Sequence, residues 1–458
     1  MLACVWSIVL SGCVLSAAAV DRHVVVISLD GVPASMFWEP RESVPTLRRL
    51  AKAGVAAEGM VPINPSFTWP NHATLMTGVG ADRHGLLYNG ALVRDDETGL
   101  ASVRSQATRE ELVRGPLLFD AFHQAGLTTA AINWPGTLGA ESIDDNFPDV
   151  PSGYDDMTPR LKRELIETGV IRDLGGNHFK TASAPARDEV WLEAACHVIR
   201  TRRPHLLMLH LLNTDGTNHR YGAGSYASQS ALALADSHVA RVLRAIEEAG
   251  IADRTTVFVL SDHGFGPTAK WIVSPNVWLH EAGWLDVSDQ GEPLRGRAFV
   301  LGQGGNGGVF LTPSSAAARE EVRGVLRGKE GIADVLSAED LAGLGWPRAG
   351  EHPGVPDLLV VPAEGYAIAY REGRAQAVVP VTPGINPGYH GHLVGGREME
   401  AMFVAAGPDI RIGDTIGRVR NVDVAPTIAR VMGITLPWAE GRALDVFVEP
   451  GEQPSLSR

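Results

Sequence analysis

Cysteine is scarce in this sequence: Cys4, Cys13 and Cys196 are the three present. The first two fall in the apolar opening stretch, so a chain that loses that stretch keeps one thiol and can form no internal disulfide. Cys196 falls in a predicted helix, Glu189–Arg200, and is expected to be a small buried apolar residue. Positive charge is also short. Forty Lys and Arg stand against 53 Asp and Glu, a formal charge of −13. That balance argues against a grip on long nucleic acid, which is built from neutralised phosphates; a small anion held by metal ions is not excluded. No Lys or Arg precedes Arg22, so the opening lacks the basic start of an export signal. Residues 1–19 keep the other marks, an apolar run closing on Ser16-Ala17-Ala18-Ala19. They are too short for a comfortable membrane span and read as a secretory signal, with the protein periplasmic or secreted. Leu10-Ser11-Gly12-Cys13 resembles a bacterial lipobox, and a lipid on Cys13 would be the one membrane attachment expected. Ordinary cleavage after Ala17 or Ala19 is the other reading. Repeats of fixed period and low-complexity tracts are missing too.

With 458 residues, 45% of them hydrophobic, the chain can bury a large core. Val24–Leu29 is an apolar run with only Ser28 interrupting it, as in a strand buried on both faces. Similar runs recur at Val55–Pro62, Thr128–Asn133, His205–Leu212, Thr255–Leu260 and Ala401–Ala406. Helical patterns lie between them, at Pro45–Ala53, Leu117–Ala125, Arg187–Arg202, Tyr226–Ala249 and Val422–Met432. Alternating strands and helices predict an α/β fold, a mainly parallel central sheet with helices on both faces. Residues 20–458 are read as one domain. Two stretches break the rhythm: 137–185, rich in Gly, Pro and Asp, reads as a peripheral insertion rather than sheet, and 297–370 as a smaller inserted cap lobe.

The run Asn64-Pro-Ser-Phe-Thr68-Trp-Pro-Asn-His72 is the stretch the rest serves. Pro70 suits the first turn of a helix, where a missing N–H costs nothing. The Thr68 hydroxyl then sits at a helix N-terminus, a place that favours anions, and becomes a candidate nucleophile for phosphoryl chemistry. A simple N-cap is the plainer reading. Three strands end in acids, Asp30, Asp215 and Asp262, at the edge where open parallel sheets bind ligands. Three carboxylates gathered there would repel one another unless cations hold them. His219, His263 and His390 lie close by in sequence or in the Tyr389-His-Gly-His392 run. Carboxylate oxygen with imidazole nitrogen suits zinc better than magnesium or calcium. Taken singly, each Asp can be a turn residue and each His a solvated one.

Several runs together carry a resemblance: Ser28-Leu-Asp30-Gly31, Thr68-Trp-Pro-Asn-His72, Thr77-Gly78, His84-Gly85, Trp134-Pro-Gly136, Asp215-Gly-Thr-Asn-His219, Ser261-Asp-His-Gly264 and Tyr389-His-Gly391. The sequence resembles the alkaline phosphatase superfamily, and within it the type I phosphodiesterase/nucleotide pyrophosphatase family, over about Val24 to Pro437. The resemblance implies two zinc ions, one on Asp215, His219 and His390, the other on Asp30, Thr68, Asp262 and His263. It implies Thr68 as the nucleophile and a phospho-threonine intermediate. It puts Asn89 where the family has an amide donor to a phosphate oxygen, helped by N–H groups near Thr68, and Trp69 where the family stacks a nucleobase or aryl group. A turn role for Asn89 and a packing role for Trp69 remain open. His392 reads either as a second-layer partner or as exposed.

The resemblance further implies a small diester or pyrophosphate substrate, such as a nucleotide. A monoesterase has to neutralise a dianion, and the cations near the motifs, Arg83, Arg220 and Lys270, read as solvated surface charge. A phosphomonoesterase and a phosphonate hydrolase remain the alternatives on this fold. A sulfatase is disfavoured by Thr at the nucleophile position and by the absence of Cys-x-Pro-x-Arg. A non-catalytic metal-binding surface protein would be expected to have lost ligands or nucleophile, and none is lost.

Overall fold

His23–Leu29 (β1) shows how the fold is built. Its residues alternate between two cores, Val25, Ile27 and Leu29 in one, Val24 and Val26 in the other, as the two-residue period of a strand requires. The computed structural model describes residues 21–172, 176–369 and 376–448; the expected signal and Cys13 lie outside them. In chain order the framework continues with Pro45–Ala53 (α1), Val55–Ala57 (β2), Thr68–Thr77 (α2), Leu118–Gln124 (α3), Thr129–Ile132 (β3) and Asp145–Phe147 (β4). Ala184–Arg202 (α4), Leu206–Leu211 (β5), Asn213–Tyr221 (α5), Tyr226–Glu248 (α6) and Thr255–Leu260 (β6) follow. Phe403–Ala406 (β7), Asp414–Ile416 (β8) and Val424–Met432 (α7) close it.

Eight strands form the central sheet in the order β8-β2-β7-β6-β1-β5-β3-β4. Only β7 runs antiparallel to its neighbours, so the sheet is mainly parallel, as expected. Helices α1, α4 and α6 cover one face and α2, α3 and α7 the other. Register sets the site. Ser28 pairs with Leu260 and Leu29 with Leu211; continued by two residues, the first register brings Asp30 abreast of Asp262.

Three expectations need correction. The stretch 137–185 is not wholly peripheral: Asp145–Phe147 is the sheet's outermost strand, paired parallel to β3. It was hidden because Asp-Asn-Phe has neither the length nor the β-branched character of a strand; tertiary packing decides it. Val55–Pro62 is not continuous. The chain breaks at Glu58-Gly59, and Met60–Val61 pairs with Val419–Arg420 instead. Asp215 does not end a strand but sits in the first turn of α5.

The inserted lobe is a four-stranded antiparallel sheet of Ala298–Gly302, Gly307–Leu311, Leu358–Pro362 and Ile332–Ser337, backed by the helix Ala316–Leu326. Its core also takes in Val273, Trp278, Leu279 and Trp284, so the lobe's packing begins well before residue 297. Cys196 is buried against α6, with its sulfur facing Arg241 O. Burial pushes its thiol up to about 12, which keeps it inert.

The strand at the sheet's edge can be tested. Phe147 is 1% exposed and packs on Phe179 and Trp191 with ring centroids 5.6 and 6.4 Å away. Phe147→Ala is expected to lower the unfolding free energy in urea titrations by about 3–5 kcal/mol; a loss below about 1 kcal/mol would show that the segment only drapes over the sheet.

Candidate active site

Thr68 is the first helical residue of α2, and Phe67 occupies the N-cap position. The N-cap reading of Thr68 therefore does not hold. Its hydroxyl, in a residue 7% exposed, instead lies 3.4 Å from His263 Nε2. The helix start offers fewer free donors than its position suggests. The Trp69 N–H is taken by Asn89, Pro70 has none, and the Asn71 N–H bonds Phe67 O.

Around Thr68 the acids and imidazoles gather into two groups, Asp215 with His219 and His390, and Asp30 with Asp262 and His263; within each, ligand-type atoms lie within 4.8 Å of one another. In the first group Asp215 Oδ1 is 3.4 Å from His219 Nε2 and 3.7 Å from His390 Nε2. In the second, His263 Nε2 is 3.5 Å from Asp30 Oδ1 and 3.2 Å from Asp262 Oδ2. The stacked rings of His263 and His390, centroids 3.9 Å apart, join the groups.

These spacings fit a metal. Donors about 2.0–2.2 Å from a tetrahedral ion stand roughly 3.3–3.6 Å from one another, whereas good N–H···O bonds are shorter. Asp30 Oδ1, Asp215 Oδ1 and Asp262 Oδ2 are shielded from water and have no hydrogen-bond partner. All three imidazoles also face the same way. The Nδ1 of His219, His263 and His390 lies 2.8, 2.9 and 3.1 Å from the carbonyls of Gly388, Gly264 and Ser66. A carbonyl can only accept, so Nδ1 carries the proton and Nε2 presents its lone pair inward. Burial, reinforced by neighbouring imidazoles, holds His390 well below its ordinary range and so neutral.

The two groups differ in access. Asp30, Asp262 and His263 side chains are 0–2% exposed, but those of Asp215 and His219 are 18 and 17% exposed. Burial, then the charges of Asp262 and Asp215, raise the Asp30 carboxyl well above the usual range.

Glycine is demanded at two points. Gly31 has φ +64°, and a Cβ there would meet Phe265 at 2.7 Å and Asp215 Oδ1 at 3.2 Å. Gly391 has φ +86°, and its Cβ would meet Phe67 at 2.3 Å.

Asn89 is oriented by its contact. Its Oδ1 accepts the Trp69 backbone N–H at 2.9 Å, which leaves the amide N–H groups free to donate to a bound anion. Trp69 is 5% exposed and packs in the core beneath α2. That burial suits the packing role. Its indole N–H donates to Asp149 at 3.1 Å. Arg83 pairs with Glu440 at 3.3 Å, Arg220 lies over Tyr221 and Lys270 is exposed, so all three are surface charges as expected. His392 is half-buried rather than exposed, pressed against Gly266 and Glu398.

Two further histidines hold the site from behind. The His72 Nδ1–H donates to Thr68 O at 2.8 Å and its Nε2 accepts from the Ser28 hydroxyl at 2.9 Å. His210 places Nδ1 3.1 Å from Asn133 O and Nε2 3.1 Å from Asp30 Oδ2. Burial keeps His210 well below its usual range and so neutral, with its Nε2 facing Asp30. A signal for His210 was present: it is the one polar residue in the run Leu206–Leu211.

Fold and site together give an α/β protein of the alkaline phosphatase kind with a candidate metal-binding cluster at the edge of its sheet. The sequence model of the type I phosphodiesterase / nucleotide pyrophosphatase family matches residues 24–390, and the chain belongs to that family. Human ectonucleotide pyrophosphatase/phosphodiesterase family member 1 is 24% identical over 249 residues, which is 54% of this chain and 24% of that protein. An uncharacterized pyrophosphatase/phosphodiesterase of Schizosaccharomyces pombe is 26% identical over 265 residues, 56% of this chain and 47% of that protein. The matched stretch is thus a quarter to a half of these relatives' length. Among solved structures, murine ectonucleotide pyrophosphatase / phosphodiesterase 5, an inactive threonine-to-alanine variant in complex with AMP, superposes with a TM-score of 0.66 at 17% identity. That likeness covers 91% of this chain and 96% of that one.

Asp149 gives the site a pH signature. Burial raises its carboxyl to about 7, against the opposing Trp69 hydrogen bond. In the unfolded chain it ionises near 4, so between about pH 4 and 7 the unfolded state binds fewer protons and wild-type stability falls as pH rises. Asp149→Asn cannot ionise. In chelator-treated protein it is expected to match wild type below about pH 4 and to exceed it by about 2 kcal/mol above pH 7, read from urea midpoints across that range. A difference independent of pH would show that Asp149 is ionised in the fold.

Proposed function

We propose that the protein hydrolyses small phosphodiesters or pyrophosphates, nucleotides among them, through a covalent intermediate on Thr68. One zinc ion would be held by Asp215, His219 and His390, and another by Asp30, Thr68, Asp262 and His263. The observation that carries this reading is the placement of the Thr68 hydroxyl, 3.4 Å from His263 Nε2 at the start of α2, where both acid–imidazole groups converge. When bound, such ions supply a lowered pKa for the hydroxyl and for water, and positive charge for the transition state.

The chain's own residues supply the rest. Thr68 Oγ1 loses its proton as it bonds to phosphorus, and the ester oxygen leaves from the opposite side. Asn89, its oxygen fixed by the Trp69 N–H, offers its amide protons to a phosphate oxygen where charge builds. Water enters from the partly open side, by Asp215 and His219, and breaks the phospho-threonine bond. Phosphate with one remaining ester group departs, and Thr68 recovers its proton.

Three points support a nucleotide-type substrate met outside the cytoplasm and this nucleophile. Arg83, Arg220 and Lys270 are engaged elsewhere or solvated, so none of these three is committed to the second charge of a monoester. The murine relative was solved with a nucleotide, AMP, and its threonine-to-alanine variant is described as inactive. Export, expected from residues 1–19, fits a substrate met outside the cytoplasm.

Thr68→Ala is expected to lose at least about 10³-fold in turnover while retaining two equivalents of zinc by metal analysis. Near-wild-type turnover in this variant would exclude the covalent route. On bis-p-nitrophenyl phosphate, p-nitrophenyl phosphate, a nucleotide and phosphonoacetate, kcat/KM is expected to favour the diester over the monoester. The reverse ranking, or turnover of phosphonoacetate alone, would move the protein to another branch of the superfamily.

A further inference from the structure

We propose that Asp188 is a positioning residue for the Asp215–His219–His390 group: reaching across from α4, its carboxylate holds the start of α5 where Asp215 and His219 can meet His390. The proposal rests on the metal reading above.

Helix α5 carries two of the three members of that group, yet it starts without a side-chain cap of its own. Asp188 provides one from a different helix. Its Oδ1 accepts the Leu212 N–H at 2.9 Å and its Oδ2 the Asn213 N–H at 3.0 Å. Both are donors that the first turn of a helix cannot satisfy internally. Asp188 is 2% exposed, and burial raises its carboxyl to about 7 despite these two bonds. So costly a residue argues for a specific task.

The geometry indicates which task. The Asp215–His219 distance is internal to α5 and survives a shift of the whole helix. The 3.7 Å separation of Asp215 Oδ1 from His390 Nε2 does not; it depends on where α5 begins and how it is rotated. From the inner side, the Thr214 hydroxyl donates to Asp30 O at 2.6 Å and the Asn218 amide to Gly31 O at 2.9 Å. Asp188 fixes the outer side, at the end from which Asp215 projects. Together these contacts leave the helix no freedom to turn.

The fold contains a matched control. Asp236 on α6 caps α1 in the same manner, accepting Thr46 N–H at 3.1 Å and Leu47 N–H at 2.7 Å, and is 3% exposed. Helix α1 carries no candidate ligand, so its cap can only be structural.

The test is zinc affinity of the full chain by chelator competition. Asp188→Asn keeps one accepting oxygen and turns an amide N–H group against a backbone N–H. It is expected to raise the dissociation constant of one of two zinc ions about 10–100-fold and leave the other unchanged. Asp236→Asn is expected to lower Tm comparably and move neither constant. Wild-type affinities in Asp188→Asn would overturn the positioning role and leave the metal reading standing. A wild-type protein that takes up fewer than two zinc ions would overturn both. Should Asp188→Asn fail to fold, amide hydrogen exchange on wild type decides. Removing zinc should speed exchange at Leu212 and Asn213 by about tenfold more than at Thr46 and Leu47; an equal change at both pairs would overturn the proposal.

Discussion

Carboxylates brought together out of water are the constraint on which this structure turns. Asp30 and Asp262 stand side by side because β1 and β6 are parallel and in register, and Asp215 reaches the same point from α5. Each has an oxygen shielded from water and unpartnered. An unpaired buried carboxylate costs several kcal/mol and escapes that cost by taking up a proton. A fold that keeps three of them together, with three imidazole lone pairs turned inward, is therefore arranged for positive charge that the protein itself does not provide.

The two halves of the centre are held by different means. Asp30 and Asp262-His263 extend directly from adjacent strands of the sheet, and His72 and His210 brace them from behind through Thr68 O and Asp30. This half is closed to solvent. The other half is assembled from a helix and a loop. Its partial exposure makes it the side of the cluster open to solvent. Thr68 lies at the seam, on a helix whose first turn is locked by the Asn71 amide to Phe67 O and Pro65 O.

What could be read from the chain followed from local chemistry. Val24–Leu29 announces a strand covered on both faces, and the acid after it announces the ligand edge; Asp30, Asp262 and His263 were legible on those grounds. Asp215 and His219 were legible as a pair but not as helical, because Asn-Thr-Asp-Gly looks like a turn until α4 and Asp188 cap it as a helix. Asp145–Phe147 could not be read, since three residues with no apolar alternation become a strand only through their neighbour β3. Trp69 could be read two ways, as an aromatic beside Thr68 suited to stacking or as a packing residue, and its burial among the residues under the sheet was not visible from its neighbours in sequence. His210 was legible in principle, as a lone polar residue in an apolar strand, but the partner that gives it meaning is distant in sequence.

The inserted lobe reaches the centre through one loop. His390 follows the lobe in the chain and belongs to no strand or helix. Its loop is tied instead to the lobe's hairpin turn: the Gly305 N–H donates to His390 O at 2.9 Å and the Asn306 amide to Gly391 O at 2.6 Å. Gly391 can take its left-handed turn against Phe67, next to Thr68, only because it has no Cβ. Residues 303–306 thus fix the backbone on either side of the ring that joins the two groups. A lobe that packed poorly would cost more than its own stability, because His390 would no longer be held at its distance from Asp215.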